Sequence, residues 1–390
     1  MLKFFTAGES HGKGIFAYLE GFPANFEVDF AFLNSELARR QRGYGRGGRM
    51  KIEKDKVEFL SGVRLGRTIG SPILMAVWNR DYENWKELMK PEPGELPPES
   101  KVSHPRPGHA DLPGVLKYAT DDVRNILERS SARETVARVA VGALCKSMLK
   151  ALGVDVGSYV LSVGKVRVPQ DYLELSLQER FENAELSELR IPVADESVER
   201  RFKEEIDRAT AEGETLGGTF EVFATGLPPG VGSHVQWDRR LDGRIAQAIM
   251  SIQAIKAVEI GMGFTASAER GSRVHDEIAY SKDTGFYRKT NNAGGIEGGM
   301  TNGMPVLVRA GMKPIPTLRK PLASVDIKTK EPVSALVERS DVCAVPSASV
   351  VAEAMLSIVL LTAILEMFPS DDFLRLKACW KAYREELKNR

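Results

Sequence analysis

The chain has 390 residues, of which 43% are hydrophobic and 27% charged, and its formal net charge is +1. These proportions are ordinary for a globular protein, and the near-zero charge argues against a general nucleic-acid binder, which carries a basic excess. The three cysteines, Cys145, Cys343 and Cys379, show no CxxC or Cys/His spacing, so neither a disulfide framework nor a metal site is expected.

In chain order, the amino-terminal MLKFFTAGESHG lacks the basic-then-apolar run of a secretory signal, which points to the cytoplasm. Strands are predicted at 2–6, 15–20, 57–60 and 72–78. A helix is predicted over 131–150, with Val136, Val139, Leu144 and Met148 on one face and Ser131–Glu134 as a capping box. Residues 170–215 are charged and weakly patterned, which predicts a peripheral insertion (165–215). A strand follows at 218–224. Leu241, Ile245, Ile249, Ile252 and Ile255 recur at helical spacing, so a helix is predicted over 238–260, with Gly261 as its stop. Residues 266–293 lack apolar periodicity and read as a long, lid-like loop. A last strand is predicted at 304–310. The stretch from Val350 to Ile364 is the most apolar, but Glu353, Ser357 and Thr362 interrupt it. It is too short and impure for a membrane span and reads as a buried helix.

The chain also repeats itself. Residues 62–74, GVRLGRTIGSPIL, align without gaps to 295–307, GIEGGMTNGMPVL, with identity at Gly, Gly, Thr, Gly, Pro and Leu. Gly21-Phe-Pro pairs in order with Gly226-Leu-Pro, and Ser131-Ala with Ser347-Ala. The expectation is one domain over 1–390 with related halves, about 1–150 and 217–370. Chance similarity among glycine-rich turns is the alternative, and a different strand order in the two halves would exclude duplication.

Five segments could carry chemistry. Gly8-Glu-Ser-His11-Gly-Lys-Gly14 follows a predicted strand; it is one residue short of a P-loop, so ATP chemistry is rejected. Residues 39–49, RRQRGYGRGGR, contain five arginines. Their glycines satisfy GxGxxG formally, but a helical segment precedes them, so a dinucleotide fingerprint is not expected. Two readings remain: an RNA-binding module using this Arg/Gly segment, or a clamp for a small polyanion, since guanidinium forks bind phosphate and carboxylate. The low net charge favours the small ligand. In His104-Pro-Arg-Pro-Gly-His109-Ala-Asp111, prolines stiffen the backbone around Arg106 and His109, and histidine suits proton transfer near neutral pH. Arg129, Ser130 and Ser131 precede an inferred helix start, a ready anion site. Gly298-Gly, Lys313-Pro-Ile-Pro-Thr317 and Arg339-Ser-Asp341 supply a second charged set. Together these suit a phosphorylated, carboxylated small molecule and the movement of a proton.

Taken in order, GESHG, RRQRGYGRGGRM, RPGHADL, RSSARET, GLPPGVGSHV, GSRVHDEI, TNGMP, KPIPT and RSDVCAVP resemble the chorismate synthase family over nearly the whole chain. The resemblance implies an α+β sandwich, with long helices between antiparallel β-sheets, assembled as a homotetramer. It implies the shikimate-pathway lyase reaction, an anti-1,4-elimination of phosphate and the C6 hydrogen from 5-enolpyruvylshikimate 3-phosphate, with reduced FMN but no net redox change. By the same resemblance, His11 would protonate the departing phosphate, His109 would stabilise or protonate the reduced flavin, and Asp341 would help remove the proton from flavin N5. Arg40, Arg46, Arg49, Arg133, Arg129 and Arg339 would bind the substrate's anionic groups. FMN would lie against Arg129, Ser130, Ser131, Gln253, Ala254, Gly298, Lys313, Pro314, Ile315, Pro316, Thr317 and Arg339. Arg40 and Arg46 are alternatively an NADPH site in members that reduce their own flavin; other members depend on a separate flavin reductase.

Overall fold

Alternating apolar residues build the first sheet. In the computed structural model, which describes residues 2–47, 54–94, 97, 100–282, 285–338 and 341–388, strands β1 (Lys3–Ala7), β2 (Gly14–Glu20), β3 (Glu58–Ser61) and β4 (Ile73–Trp78) pair antiparallel in the order β1-β2-β4-β3. Ile15, Ala17 and Leu19 of β2 are buried, whereas Tyr18 and Glu20 face outward, as the two-residue side-chain period requires. The second sheet contains β5 (Asp155–Val163), β6 (Val166–Arg167), β7 (Gly218–Thr225), β8 (Ile255–Ile260) and β9 (Val306–Met312), antiparallel in the order β8-β9-β7-β5-β6. The six predicted strands all appear close to their expected bounds. Strand β5 was not foreseen: both its faces are buried, so its sequence shows no polar alternation.

The helices are α1 (Phe30–Gln41), α2 (Asp111–Tyr118), α3 (Arg124–Ser130), α4 (Thr135–Ala151), α5 (Leu177–Leu186), α6 (Glu196–Glu212), α7 (Leu241–Met250), α8 (Val345–Met367) and α9 (Phe373–Lys388). Helix α4 packs on β2 and β4 of the first sheet and on α8, and α8 packs on β5 and β7 of the second sheet. One hydrophobic core runs continuously from Leu2 to Trp380. Each fully buried aliphatic side chain in it contributes roughly 1.5–3 kcal/mol. Helix α8 meets α1, α4, α7 and the second sheet, so it is apolar on every side. It is long and apolar enough to cross a membrane, yet 89% of its most apolar window is buried within the protein.

Glu353 sits fully buried within α8. Its carboxylate accepts from Arg39 at 2.8 and 2.9 Å, Lys146 at 2.5 Å, Arg190 at 2.9 Å and Ser158 at 2.6 Å. Arg39 also binds Glu36 and Glu185. This network ties α1, α4, α5, α8 and β5 together. Burial opposes the Glu353 charge, but Arg39, Lys146 and Arg190 hold its carboxyl well below the usual range.

Two expectations change. The 238–260 helix ends at Met250, and Ile255–Ile260 is a strand paired with β9. The isoleucine spacing fits both periods across that junction, and Ala254, at φ 66°, turns the chain out of the helix. The 266–293 segment is not loop throughout: Ile278–Ser281 and Gly285–Arg288 form a hairpin. The 165–215 segment contains α5 and α6, which pack on β5 and β6.

Candidate active site

The GESHG turn is shaped by its backbone. Gly8 has φ 102°, and a Cβ there would stand 2.2 Å from Gly14 O, so only glycine lets β1 and β2 approach at this point. Asn79 closes the turn from β4's end. Its Nδ2 donates to Glu9 O, Ser10 O and Gly12 O, and its Oδ1 accepts from Arg133 Nε at 2.9 Å. Sequence reasoning missed Asn79, whose only signal was a polar residue directly after an apolar strand.

His11 is held against α3. Its backbone N donates to Glu128 Oε2 at 2.8 Å, and its Nδ1 lies 2.9 and 3.1 Å from the two Glu128 oxygens. The imidazole stacks on Trp85 with ring centroids 3.8 Å apart. Burial raises the cost of the Glu128 charge, but contacts from His11 and Arg124 lower its pKa below the usual value.

Beside this turn lies an arginine cluster. Arg40, at the end of α1, donates to Asp55 at 2.7 Å and to Thr135 at 3.3 Å. Arg133 donates to the other Asp55 oxygen at 2.6 Å. Both arginines and Asp55 are buried. Burial, reinforced by neighbouring Arg133 and Arg46, lowers the Arg40 pKa to about 10 despite Asp55. The Asp55 carboxyl, although buried, is held below its usual range by Arg40 and Arg133. Arg40 Nε is buried without a hydrogen-bond partner, a donor that an anionic ligand would satisfy. Arg46 pairs with Asp341 at 2.8 Å, and Asp341 also accepts from Gly47 N at 2.6 Å. Arg49 and Arg339 lie outside the described residues.

A second cluster surrounds His109. Asp111, fully buried, accepts from His109 Nδ1 at 2.5 Å and from Arg106 Nε at 2.8 Å. Burial opposes this carboxylate's charge, and the contacts with His109 and Arg106 hold it well below the usual range. Arg106 reaches Thr317 at 2.9 Å, and Lys313 Nζ donates to Gly108 O. The 313–317 segment thus lies directly against the His109 loop. Lys313 N donates to Ala254 O at 2.9 Å, Thr215 Oγ1 anchors Ile315 O at 2.6 Å, and the backbone around Pro314 passes close to Gly217. Pro316 faces Gly108. Helix α2, which begins at Asp111, shares a small apolar core of Val115, Val123 and Leu127 with α3. The supports of both histidines are therefore packed together.

The predicted helix start at Ser131 is corrected. Arg129 and Ser130 form the last turn of α3, and a 3-10 turn (Ala132–Glu134) leads into α4. Ser131 accepts from Arg133 N, but Glu134 does not complete a capping box; its carboxylate accepts from Thr6, Arg138 and Gln253. Ser130 Oγ donates back to Ile126 O. Arg129 donates to Thr6 and Gly8. Gln253 Nε2 must face the Glu134 carboxylate at 3.2 Å, which leaves Oε1 buried without a partner. Gly298 lies at the turn of the Ile296–Thr301 hairpin, with open space where a Cβ would lie.

The RNA-binding reading finds no support. Arg39 and Arg40 of the Arg/Gly segment are buried against carboxylates and cannot reach a nucleic-acid backbone. Among the described residues no group of histidine, cysteine, aspartate and glutamate could hold a metal.

The chorismate synthase family model matches residues 2–365. The chain is 58% identical to a chorismate synthase of Sulfurihydrogenibium sp. over the full length of both, and 57% identical to one of Aquifex aeolicus, covering 100% of this chain and 98% of that protein. A crystal structure of a chorismate synthase superposes with a TM-score of 0.81 at 47% identity, covering 100% of this chain and 99% of that one. A family model spanning almost every residue, relatives matched end to end and a shared fold together make this chain a member of the chorismate synthase family.

Proposed function

We propose that the chain catalyses the family reaction, the anti-1,4-elimination of phosphate and the C6 hydrogen from 5-enolpyruvylshikimate 3-phosphate to give chorismate, in the shikimate pathway. It is a carbon–oxygen lyase. The observation that carries this reading is the buried Arg40–Asp55–Arg133 cluster, joined through Asn79 to the turn bearing His11. A phosphate leaving group needs cations and a proton donor fixed in place before reaction, and this arrangement supplies both.

Within it, Arg40, Arg46 and Arg133 bind the substrate's phosphate and carboxylates, and resemblance to the family adds Arg49. Each charge-assisted hydrogen bond contributes roughly 1.5–3 kcal/mol. His11 donates a proton to the departing phosphate oxygen. Asp341, paired with Arg46, would help remove the proton from flavin N5, and His109, hydrogen-bonded to Asp111, would stabilise or protonate the reduced cofactor.

The residues fit reduced FMN. Gln253 offers a buried, unpartnered acceptor to a ring N–H. Arg129, Lys313 and Thr317 offer donors for anionic and carbonyl oxygens, with Ser130, Ser131, Ala254, the 314–316 backbone, Gly298 and Arg339 completing the assigned set. When bound, reduced FMN supplies electron density that assists departure of phosphate without net redox change. NADPH is the alternative ligand of Arg40 and Arg46, serving as reductant where the chain reduces its own flavin; a separate flavin reductase serves otherwise.

One domain built of two related halves, layered as a sandwich, accounts for the architecture. Reading β1, β2, β4 and β3 against β5, β7, β9 and β8 gives the same order in both sheets. Thr68 donates to Pro23 O at 2.6 Å and accepts from Phe26 N at 3.0 Å; Thr301 makes the same contacts to Pro228 O and Val231 N at the same distances. Both observations support duplication. The exposed apolar residues on the first sheet's outer face, Phe5, Tyr18, Leu60 and Trp78, support assembly into a homotetramer. The buried free thiols Cys145 and Cys343 suit the reducing cytoplasm.

The test is anaerobic. Purified protein, dithionite-reduced FMN and 5-enolpyruvylshikimate 3-phosphate should give equal amounts of chorismate and phosphate, and none without reduced flavin. Flavin binding with no product would overturn the catalytic reading.

A further inference from the structure

We infer that Glu128 is the positioning residue of His11, fixing the tautomer and the direction from which its proton is delivered. The inference rests on the reading of His11 as the acid for the leaving phosphate. Glu128 grips the turn at two levels. Its backbone carbonyl accepts from Ser10 N at 3.0 Å. Its carboxylate accepts from His11 N at 2.8 Å and lies 2.9 and 3.1 Å from His11 Nδ1.

A carboxylate cannot donate a hydrogen, so the hydrogen in this contact belongs to Nδ1. The neutral ring therefore carries its proton on Nδ1, and protonation adds the second hydrogen to Nε2. That second hydrogen is the one delivered: the Nε2–H bond breaks, an O–H bond forms on the departing phosphate, and the ring returns to its Nδ1–H form. Glu128 remains a carboxylate throughout.

The remaining neighbours restrain the same geometry. Trp85 stacks on the imidazole at 3.8 Å with 30° between planes, which sets the ring's rotation. Arg124, one helical turn before Glu128, donates to its Oε1 at 3.2 Å and lies 5.1 Å from the Trp85 ring centre. The carboxylate is thereby charge-balanced from its own helix and kept from rotating away. Nothing else in the sequence pattern links residue 11 to residue 128; α3 brings them together.

Glu128→Gln, His11→Asn and the double variant would be assayed in the full chain with reduced FMN and 5-enolpyruvylshikimate 3-phosphate. A general acid contributes about 10²–10⁴ in rate, so Glu128→Gln is expected to lower kcat by about tenfold or more with KM unchanged. The double variant should be no slower than His11→Asn alone, because the two residues act as one unit. Equal slowing by Glu128→Gln in both backgrounds would overturn the positioning role while leaving His11 as the acid. Wild-type turnover by His11→Asn would overturn the acid reading itself. Nitrogen NMR of ring-labelled histidine in the unmodified protein gives an assay independent of variant folding. His11 should show a protonated Nδ1 in its neutral form, and a protonated Nε2 with bare Nδ1 would overturn the proposal.

Discussion

Replacing Glu353 with glutamine isolates the charge at the centre of the core. The shape is nearly unchanged, so no cavity forms, and the effect is electrostatic. Glu36, Glu185 and Glu353 face Arg39, Lys146 and Arg190, and Glu353 alone touches all three cations. Each close pair at an effective dielectric of 20 contributes about 4 kcal/mol, most of it offset by the desolvation of burying both groups. Removing one partner leaves the desolvation uncompensated, which costs about 3–5 kcal/mol. The glutamine would also point an NH₂ at donors. Against a total stability of about 5–15 kcal/mol, Tm should fall by roughly 4–6 °C. Differential scanning fluorimetry or calorimetry reads this directly. Glu27→Gln is the control: its pair with Arg67 is exposed, and exposed pairs contribute about 0–1 kcal/mol. A Glu353→Gln Tm no lower than that of the control would refute the claim that the buried charge is needed.

Asp341→Asn should keep FMN and substrate binding but lose about 10²-fold or more in kcat; undiminished turnover in the anaerobic assay would remove Asp341 from the mechanism. Gln253→Leu should weaken reduced-FMN binding by roughly five- to tenfold, the value of one hydrogen bond, in a flavin-binding titration, with Tm little changed. The Asp111 and Glu353 carboxyls are depressed in the folded protein. Their stabilisation is therefore complete above the unfolded carboxyl pKa of about 4 and is lost as pH falls below it. Stability measured against pH should drop on acidification, and Asp111→Asn should show a shallower drop.

The strands β1, β2, β4, β7 and β9 and the buried helix α8 were readable because each carries its burial pattern locally. The candidate residues were readable as motifs: His11, the arginines of 39–49, the His109 loop and the 313–317 segment all stand in unusual strings. Their pairings were not. Asp55 between Arg40 and Arg133, Glu128 beneath His11 and Glu134 beside Gln253 join segments far apart in the chain, and no local period marks a carboxylate that will be buried against a distant cation. The boundary at Ala254 was equally hidden, since isoleucines at 249, 252 and 255 suit a helix until β9 pairs with Ile255–Ile260. Local periodicity and composition thus determined the elements and the inventory of chemistry. Tertiary packing decided which charges neutralise one another, because desolvation makes each buried carboxylate stable only where a particular cation meets it.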